Sequence, residues 1–516
     1  MSGTASTDES RLVSSKNLLL GFCAGFVFLG IGLRLLRLGL NFPMWGDEAF
    51  VALNFFDSDF ATLTKPLRHY QIAPLGFLWL EKITVLLLGM SEFTLRLTPC
   101  LAGIFALLVS FKAAKNSTPP KTALLALAMI AVSYYPIRHS CEVKPYAFDF
   151  LAASLFLWLG STALKKTATS QPIYLLAIFS PILLFTSFPA AFSAGGVCIA
   201  LAFHIFQHKK YALITPCLVL ICSVLASFLA HYAIIGSNQF HNELAKHQAY
   251  WDSTFPPNNL FQLPFWLLKT HAGNLSAYPI GGKDGASSLT LLFFLLGIFK
   301  LARNSKFSLL ILLLAPFALN MIAAFMGRYP YGGSARVAQH LLPSICILSA
   351  LGIRSILQLH LFATIRSKAY IGLLCCLILL AIFQAGRDVK KPYKSLGDLE
   401  ARAIIQELCS SLQPDESLLI TQEKDQIDPT LEWYLRIQKN KILWTTVDML
   451  PTMVAQKKQS LWLWLPNRPP GGDTLPTIDI PIFNGVQTTI KKEFSFALGR
   501  DNLVKPQVVL VQLKPD

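Results

Sequence analysis

Carboxylates are scarce in most of this sequence. Residues 1–385 hold 13 Asp and Glu against 28 Lys and Arg, whereas residues 386–516 are nearly balanced at 16 and 17. There is no CxxC pair, no HExxH, no Cys/His run with metal-ligand spacing, and no glycine-rich phosphate loop after an apolar run. These absences weigh against a disulfide framework, a dedicated metal site and a nucleotide-binding module. The ten cysteines fall mostly inside apolar runs (Cys23, Cys198, Cys217, Cys222, Cys375, Cys376) and read as small core residues. Charged residues make up 14% of the chain, against about 25% in soluble globular proteins. Hydrophobic residues reach 53% and the mean hydropathy is +0.48. That is a membrane composition. A net charge of +16 raises nucleic acid as a partner. The basic residues, however, sit in short hairpins between apolar runs, which marks membrane orientation instead.

A bilayer core of about 30 Å takes roughly 20 apolar residues as a helix. Candidate spans lie at 17–40, 95–113, 121–137, 146–164, 171–187, 188–206, 211–235, 287–302, 307–326, 338–354 and 369–386, with a further apolar run at 74–90. Basic hairpins occur at 112–121, 165–166, 208–210, 300–306 and 354–368, and the N-terminus carries Arg11 and Lys16. If all are cytoplasmic, two crossings separate each neighbouring pair from residue 112 onward. Between the N-terminus and Lys112, three apolar runs would break that parity, so one of them must not cross. The run at 74–90 has Glu81 and Lys82 at its centre, where a charge costs about 2.5–3.5 kcal/mol on insertion scales. It is expected to lie in the interface.

The expectation is a polytopic α-helical membrane protein of about 11 spans, with an interfacial helix in the first outer loop. A cytoplasmic segment 1–16 leads into a transmembrane domain 17–386, and 387–516 forms a soluble α/β domain on the outer face. The first span lacks a clear cleavage site and is read as a signal anchor in the cell inner membrane. In the tail, 399–412 has helical periodicity, while "SLLIT", "KILWTT", "SLWLWLP" and "QVVLVQL" read as short strands.

On this topology the notable polar clusters share the outer face. Asp47 and Glu48 follow the first span in "NFPMWGDEAF"; Arg96 opens the second in "SEFTLRLTPCLAG". "RHSCEVKPYAF" supplies Arg138, Glu142, Lys144 and Tyr146, and "YPYGGSARVAQHLLP" supplies Tyr331, Arg336 and His340. Cations that hold a phosphate, next to a carboxylate that accepts a proton, suit chemistry on an anionic lipid headgroup. Each feature also has a plainer reading. Arg96 or Arg138 alone serves as an interfacial anchor, Glu142 and Lys144 as a solvated turn, and the glycines of "YPYGGS" as backbone punctuation. Asp47 and Glu48 are harder to set aside, because a helix C-terminus disfavours negative charge. His69, His241, His247 and His271 lack metal-ligand spacing. No metal site is expected, and a divalent cation at Asp47 and Glu48 stays open.

"WGDEAF", "APLGFLWL", "SEFTLRLTPCLAG", "CEVKPYAF" and "YPYGGSARVAQHLLP" occur in that order over roughly residues 20–345. Together they resemble the bacterial membrane glycosyltransferases of the C superfamily, related to protein O-mannosyltransferases and lipid A aminoarabinose transferases. The resemblance implies transfer of a sugar, with inversion and without a nucleotide, from a polyprenyl-phosphate carrier to a lipid, glycan or protein acceptor. It gives Asp47 the role of catalytic base with Glu48 beside it. Arg336 becomes a donor-phosphate ligand, and Arg96, Glu142, Lys144 and Tyr146 match family positions. Arg138 would join Arg336 and Lys144 at the phosphate. The sequence departs from the family pattern at "IAPLG", and it has Lys144 where arginine is common. A lipid-linked glycan transporter or flippase is the alternative, although that class favours internal repeats and mid-span charges.

Overall fold

The computed structural model describes residues 4–165, 167, 169–235, 251–393, 396–411, 417–420, 428–438, 442–444, 461–465, 486–495 and 507–515. His241 and His247 lie outside them. The chain forms two compact units: Met1–Leu40, Asp59–Leu87 and Phe93–Asp388 make the first, and Asn41–Ser58, Leu88–Glu92 and Val389–Asp516 make the second. The carboxy-terminal part of the second unit begins at Val389. The second unit additionally takes up two short pieces of the amino-terminal region.

The first unit is a helical bundle. Its described residues contain eight helices long and apolar enough to cross a membrane: Asn17–Leu40, Glu92–Ser117, Tyr146–Ala163, Ala190–His208, Tyr211–Ile235, Phe307–Phe325, Ala335–Leu357 and Arg366–Lys390. The other three expected spans are shorter helices, Pro120–Val132, Gln171–Thr186 and Ser288–Arg303. Large apolar side chains cover the outside of the bundle; Phe28 is 74% exposed and Phe206 70%. Water would penalise such a surface, and lipid tails solvate it.

Pro120–Val132 lies in the interior of the bundle. Every residue from Thr122 to Val132 is buried, which explains why its sequence "TALLALAMIAV" has no polar face: a helix surrounded on all sides has none to present. Small residues let neighbouring helices approach. A Cβ on Gly297 would strike the backbone of Leu348, and one on Gly352 the backbone of Phe293. These paired glycines seat Ser288–Arg303 against Leu342–Leu357 in the close contact typical of membrane helices.

The run at 74–90 forms the helix Leu75–Leu88. Glu81 is fully buried, and the Thr98 hydroxyl donates to its carboxylate. Packing against the Glu92–Ser117 helix thus supplies the polar partner that lipid would withhold.

In the second unit, β1 (Ser417–Ile420), β2 (Ile442–Trp444), β3 (Leu461–Leu465), β4 (Val486–Ser495) and β5 (Gln507–Pro515) form one mixed sheet of order β2-β1-β3-β5-β4. β1 pairs in parallel with β2 and β3, and β5 runs antiparallel to β3 and β4. β1, β2 and β3 fall inside the runs "SLLIT", "KILWTT" and "SLWLWLP", and "QVVLVQL" falls inside β5, while β4 ("VQTTIKKEFS") is too polar to have stood out. The helices Leu396–Ser411 and Pro429–Ile437 complete the unit.

Candidate active site

Asp47 and Glu48 belong to the second unit. The first long helix ends at Leu40, and Asn41 turns the chain with φ of 39°, a left-handed conformation that asparagine tolerates. A new helix, Gly46–Ala52, then starts with both acids in its first turn. The sequence reading set them at a helix C-terminus, where they would be unfavourable. The structure sets them at an N-terminus, where the backbone N–H groups favour negative charge. Their position alone therefore carries no argument for catalysis. Glu48 is fully buried and reaches back to 3.5 Å from the Trp45 N–H, the glutamate half of a capping box. Asp47 is half-buried, the more accessible of the pair.

Three side chains of the carboxy-terminal region hold this strap. Tyr393 donates its hydroxyl to Pro43 O at 2.6 Å and stacks on the Trp45 ring. Arg402 donates to Asn41 O at 2.8 Å and to Glu92 at 2.9 Å. Tyr434 donates to Glu92 at 2.5 Å while its oxygen accepts Met44 N–H at 2.6 Å. Asp398 accepts from Thr430 Oγ1 at 3.2 Å and from the Gly46 N–H. Burial first, then the charges of Asp428 and Glu48, push its carboxyl up to about 6. The sequence reading missed all four residues. Nothing in a tail met as an appended domain signals that it holds residues 41–46.

The remaining candidates lie in the first unit. Arg138 ends the short helix Tyr134–His139 and donates through Nε to Glu142 Oε1 at 2.7 Å. His139 Nδ1 lies 2.7 Å from Glu142 Oε2; a carboxylate only accepts, so that nitrogen carries the proton. Burial opposes ionisation of Glu142, yet His139 and Arg138 outweigh it and hold the carboxyl well below the usual range. Both oxygens are thus committed, and Glu142 orients cations; it is not a free base. Lys144, buried, donates to Gln71 Oε1 at 2.8 Å. The Tyr146 ring packs edge-on against His139. Arg336 lies over Trp251, 4.7 Å from the ring centroid, and its charge reaches His139. Arg387, which the sequence reading passed over, lies over Tyr134 at 4.8 Å. Arg96 is buried in its helix, close enough to influence the Cys141 thiol.

Arg138, Glu142, Tyr146 and, through His139, Arg336 therefore share one cluster. Tyr331 and His340 have contacts of their own. The Tyr331 hydroxyl donates to His271 Nε2 at 3.1 Å, tying its turn to the Leu263–His271 helix. His340 is buried against Phe192 and Tyr329. Gly332 and Gly333 have φ of +71° and +64°, so the "PYGG" glycines answer a backbone need, as read. Among the described residues no group of three His, Cys, Asp or Glu could hold a metal ion.

Residues 73–232 match the family model of dolichyl-phosphate-mannose-protein mannosyltransferases. No curated protein matches the sequence. Among solved structures, ArnT from Cupriavidus metallidurans bound to undecaprenyl phosphate superposes over 96% of this chain and 98% of its own, with a TM-score of 0.52 at 12% identity. The Archaeoglobus fulgidus oligosaccharyltransferase in its apo form covers 82% of this chain and 64% of its own, with a TM-score of 0.42 at 13% identity. The chain thus shares the overall fold of ArnT, and the mannosyltransferase model matches the stretch that carries "APLGFLWL", "SEFTLRLTPCLAG" and "CEVKPYAF".

Proposed function

We propose that this protein transfers a sugar from a polyprenyl-phosphate carrier to an acceptor hydroxyl or phosphate on the outer face of the inner membrane. The observation that carries the reading is the cluster at Arg138–Tyr146. Arg96, Arg138 and Lys144 are buried or nearly so and Arg336 is half-buried, while Glu142 offsets one of those charges. Guanidinium and ammonium groups brought together at one place are the groups that hold a lipid phosphate by charge-assisted hydrogen bonds. The mannosyltransferase match over residues 73–232 and the lipid phosphate held by ArnT support the same chemistry.

In the proposed step the acceptor oxygen attacks the anomeric carbon, and the carrier phosphate leaves on the opposite face with the bonding electrons. The configuration inverts. Arg336, Arg138, Lys144 and Arg96 hold that phosphate as its charge grows, so they act more on the transition state than on the ground state. Asp47 takes the acceptor proton. No nucleotide takes part. The reading includes eleven crossings, a cytoplasmic residue 1–16 segment and an external 387–516 region.

The test is transfer from a panel of polyprenyl-phosphate sugars by the purified protein. Wild type should transfer at least one. Arg336→Ala should raise the KM for donor with a smaller change in kcat. An unchanged donor dependence removes Arg336 from the phosphate site.

A further inference from the structure

A second basic site lies in the first unit. A cavity of about 1090 Å³ is lined by Lys121, Lys165, Lys300, Lys306 and Arg354. It lies at the other end of the helices that carry the candidate cluster. Arg96 and Asn116, which also lines the cavity, are 20 residues apart on the helix Glu92–Ser117, about 30 Å at 1.5 Å per residue.

Among the described residues no carboxylate lines this cavity, and none of the five cations is in an ion pair. Loop orientation explains why cations collect at this end of the bundle. It does not explain why five converge on one concavity, where they repel one another unless an anion sits between them. Two further features point to an anion. The helix Pro120–Val132 begins in the cavity wall behind Pro119, which has no side-chain acceptor; Pro120 has no N–H and the Ala123 N–H bonds to Pro119 O, so the N–H groups of Lys121 and Thr122 are the two without an intrahelical acceptor. Thr122 in its first turn also lines the cavity, and its hydroxyl is fully buried without a hydrogen-bond partner among the described residues. One cation is pre-set: Lys165 Nζ donates to Asn116 Oδ1 at 2.7 Å, and Asn116 Nδ2 donates to Thr162 Oγ1 at 2.7 Å.

We propose that this cavity binds a phosphate-bearing anion, separate from the candidate active site and at the opposite end of the bundle. Leucines 19, 164, 301, 309 and 351 share the lining with the cations. That mixture of apolar and cationic surface suits the headgroup of an anionic phospholipid.

The experiment uses the full-length Arg336→Ala protein in neutral detergent, so that the other phosphate site is weakened. Its probes are dihexanoyl phosphatidic acid, inorganic pyrophosphate and, as a zwitterionic control, dihexanoyl phosphatidylcholine. Phosphatidic acid should bind and phosphatidylcholine should not. Lys121→Gln/Lys300→Gln/Arg354→Gln should weaken binding at least about tenfold, and the charge-conserving Lys121→Arg/Lys300→Arg/Arg354→Lys should preserve it. Pyrophosphate binding as tightly as phosphatidic acid, with the same loss in the neutralised protein, would assign the same site to a free phosphate. If the triple variant does not fold, the exposed Lys121→Gln alone should give a partial loss. Absence of binding by either anion, or binding indifferent to these substitutions, overturns the proposal.

Discussion

Glu48 and Glu142 each sit in a turn that the sequence marks as polar, and each is buried, but their surroundings differ. Glu48 closes the first turn of a helix, and Asp47, half-buried, precedes it. Glu142 is bridged on both oxygens by Arg138 and His139, and no second acid accompanies it in "CEVKPY". The first turn therefore places a half-buried acid beside a buried one, while the second commits its acid to holding cations in place. The difference divides the proposed labour between a base and a phosphate site.

Asp47→Asn should break the comparison most visibly. Removing the base should cost about 10²–10⁴-fold in transfer, with thermal stability changed little. Glu48→Gln should do the reverse, leaving transfer within a few-fold and lowering stability by about 1 kcal/mol through the weakened cap. Equal losses of activity in both variants would dissolve the distinction between them. Glu142→Ala leaves Arg138 buried without its carboxylate and should destabilise the protein by about 3–5 kcal/mol, read as a fall in melting temperature. A Glu142→Ala protein as stable as wild type would return that carboxylate to the list of candidate bases. Tyr434→Phe removes the donor to Glu92 and the acceptor for Met44 N–H. It should cost about 1–3 kcal/mol and speed proteolysis at residues 41–45; an unchanged cleavage rate would mean the strap does not depend on Tyr434.

The helices were legible because apolar runs between basic hairpins record burial in lipid directly. Parity singled out 74–90 as exceptional, and Glu81 is indeed buried against Thr98. The interfacial reading lacked that partner, because a hydrogen bond to a neighbouring helix leaves no mark on local hydropathy. The acids at 47 and 48 were found but set at the wrong end of a helix. The break after Leu40 spans only five residues before Gly46, and no strong N-cap residue announces the new start. The ties from Tyr393, Arg402 and Tyr434 were not legible, because pairings across more than 300 residues have no local signature.

A pH dependence of comparably small size tests the strap from its other side. Asp398 has its carboxyl pushed up to about 6 by burial and by neighbouring Asp428 and Glu48, against an unfolded value near 3.9. Between those values the folded protein keeps a proton that the unfolded chain has released. Stability should therefore fall as pH rises from about 4 to 6, because the native state binds more protons there. Allowing for partial exposure of the carboxyl, the fall is on the order of 1–2 kcal/mol. Asp398→Asn keeps an oxygen for Thr430 and Gly46 but removes the charge that repels Glu48 and Asp428. Its melting temperature should be higher than that of wild type at pH 7 and should vary less between pH 4 and 6. If both proteins show the same slope, the acids around Gly46 are not electrostatically coupled, and the strap is held by the tyrosine and arginine hydrogen bonds alone.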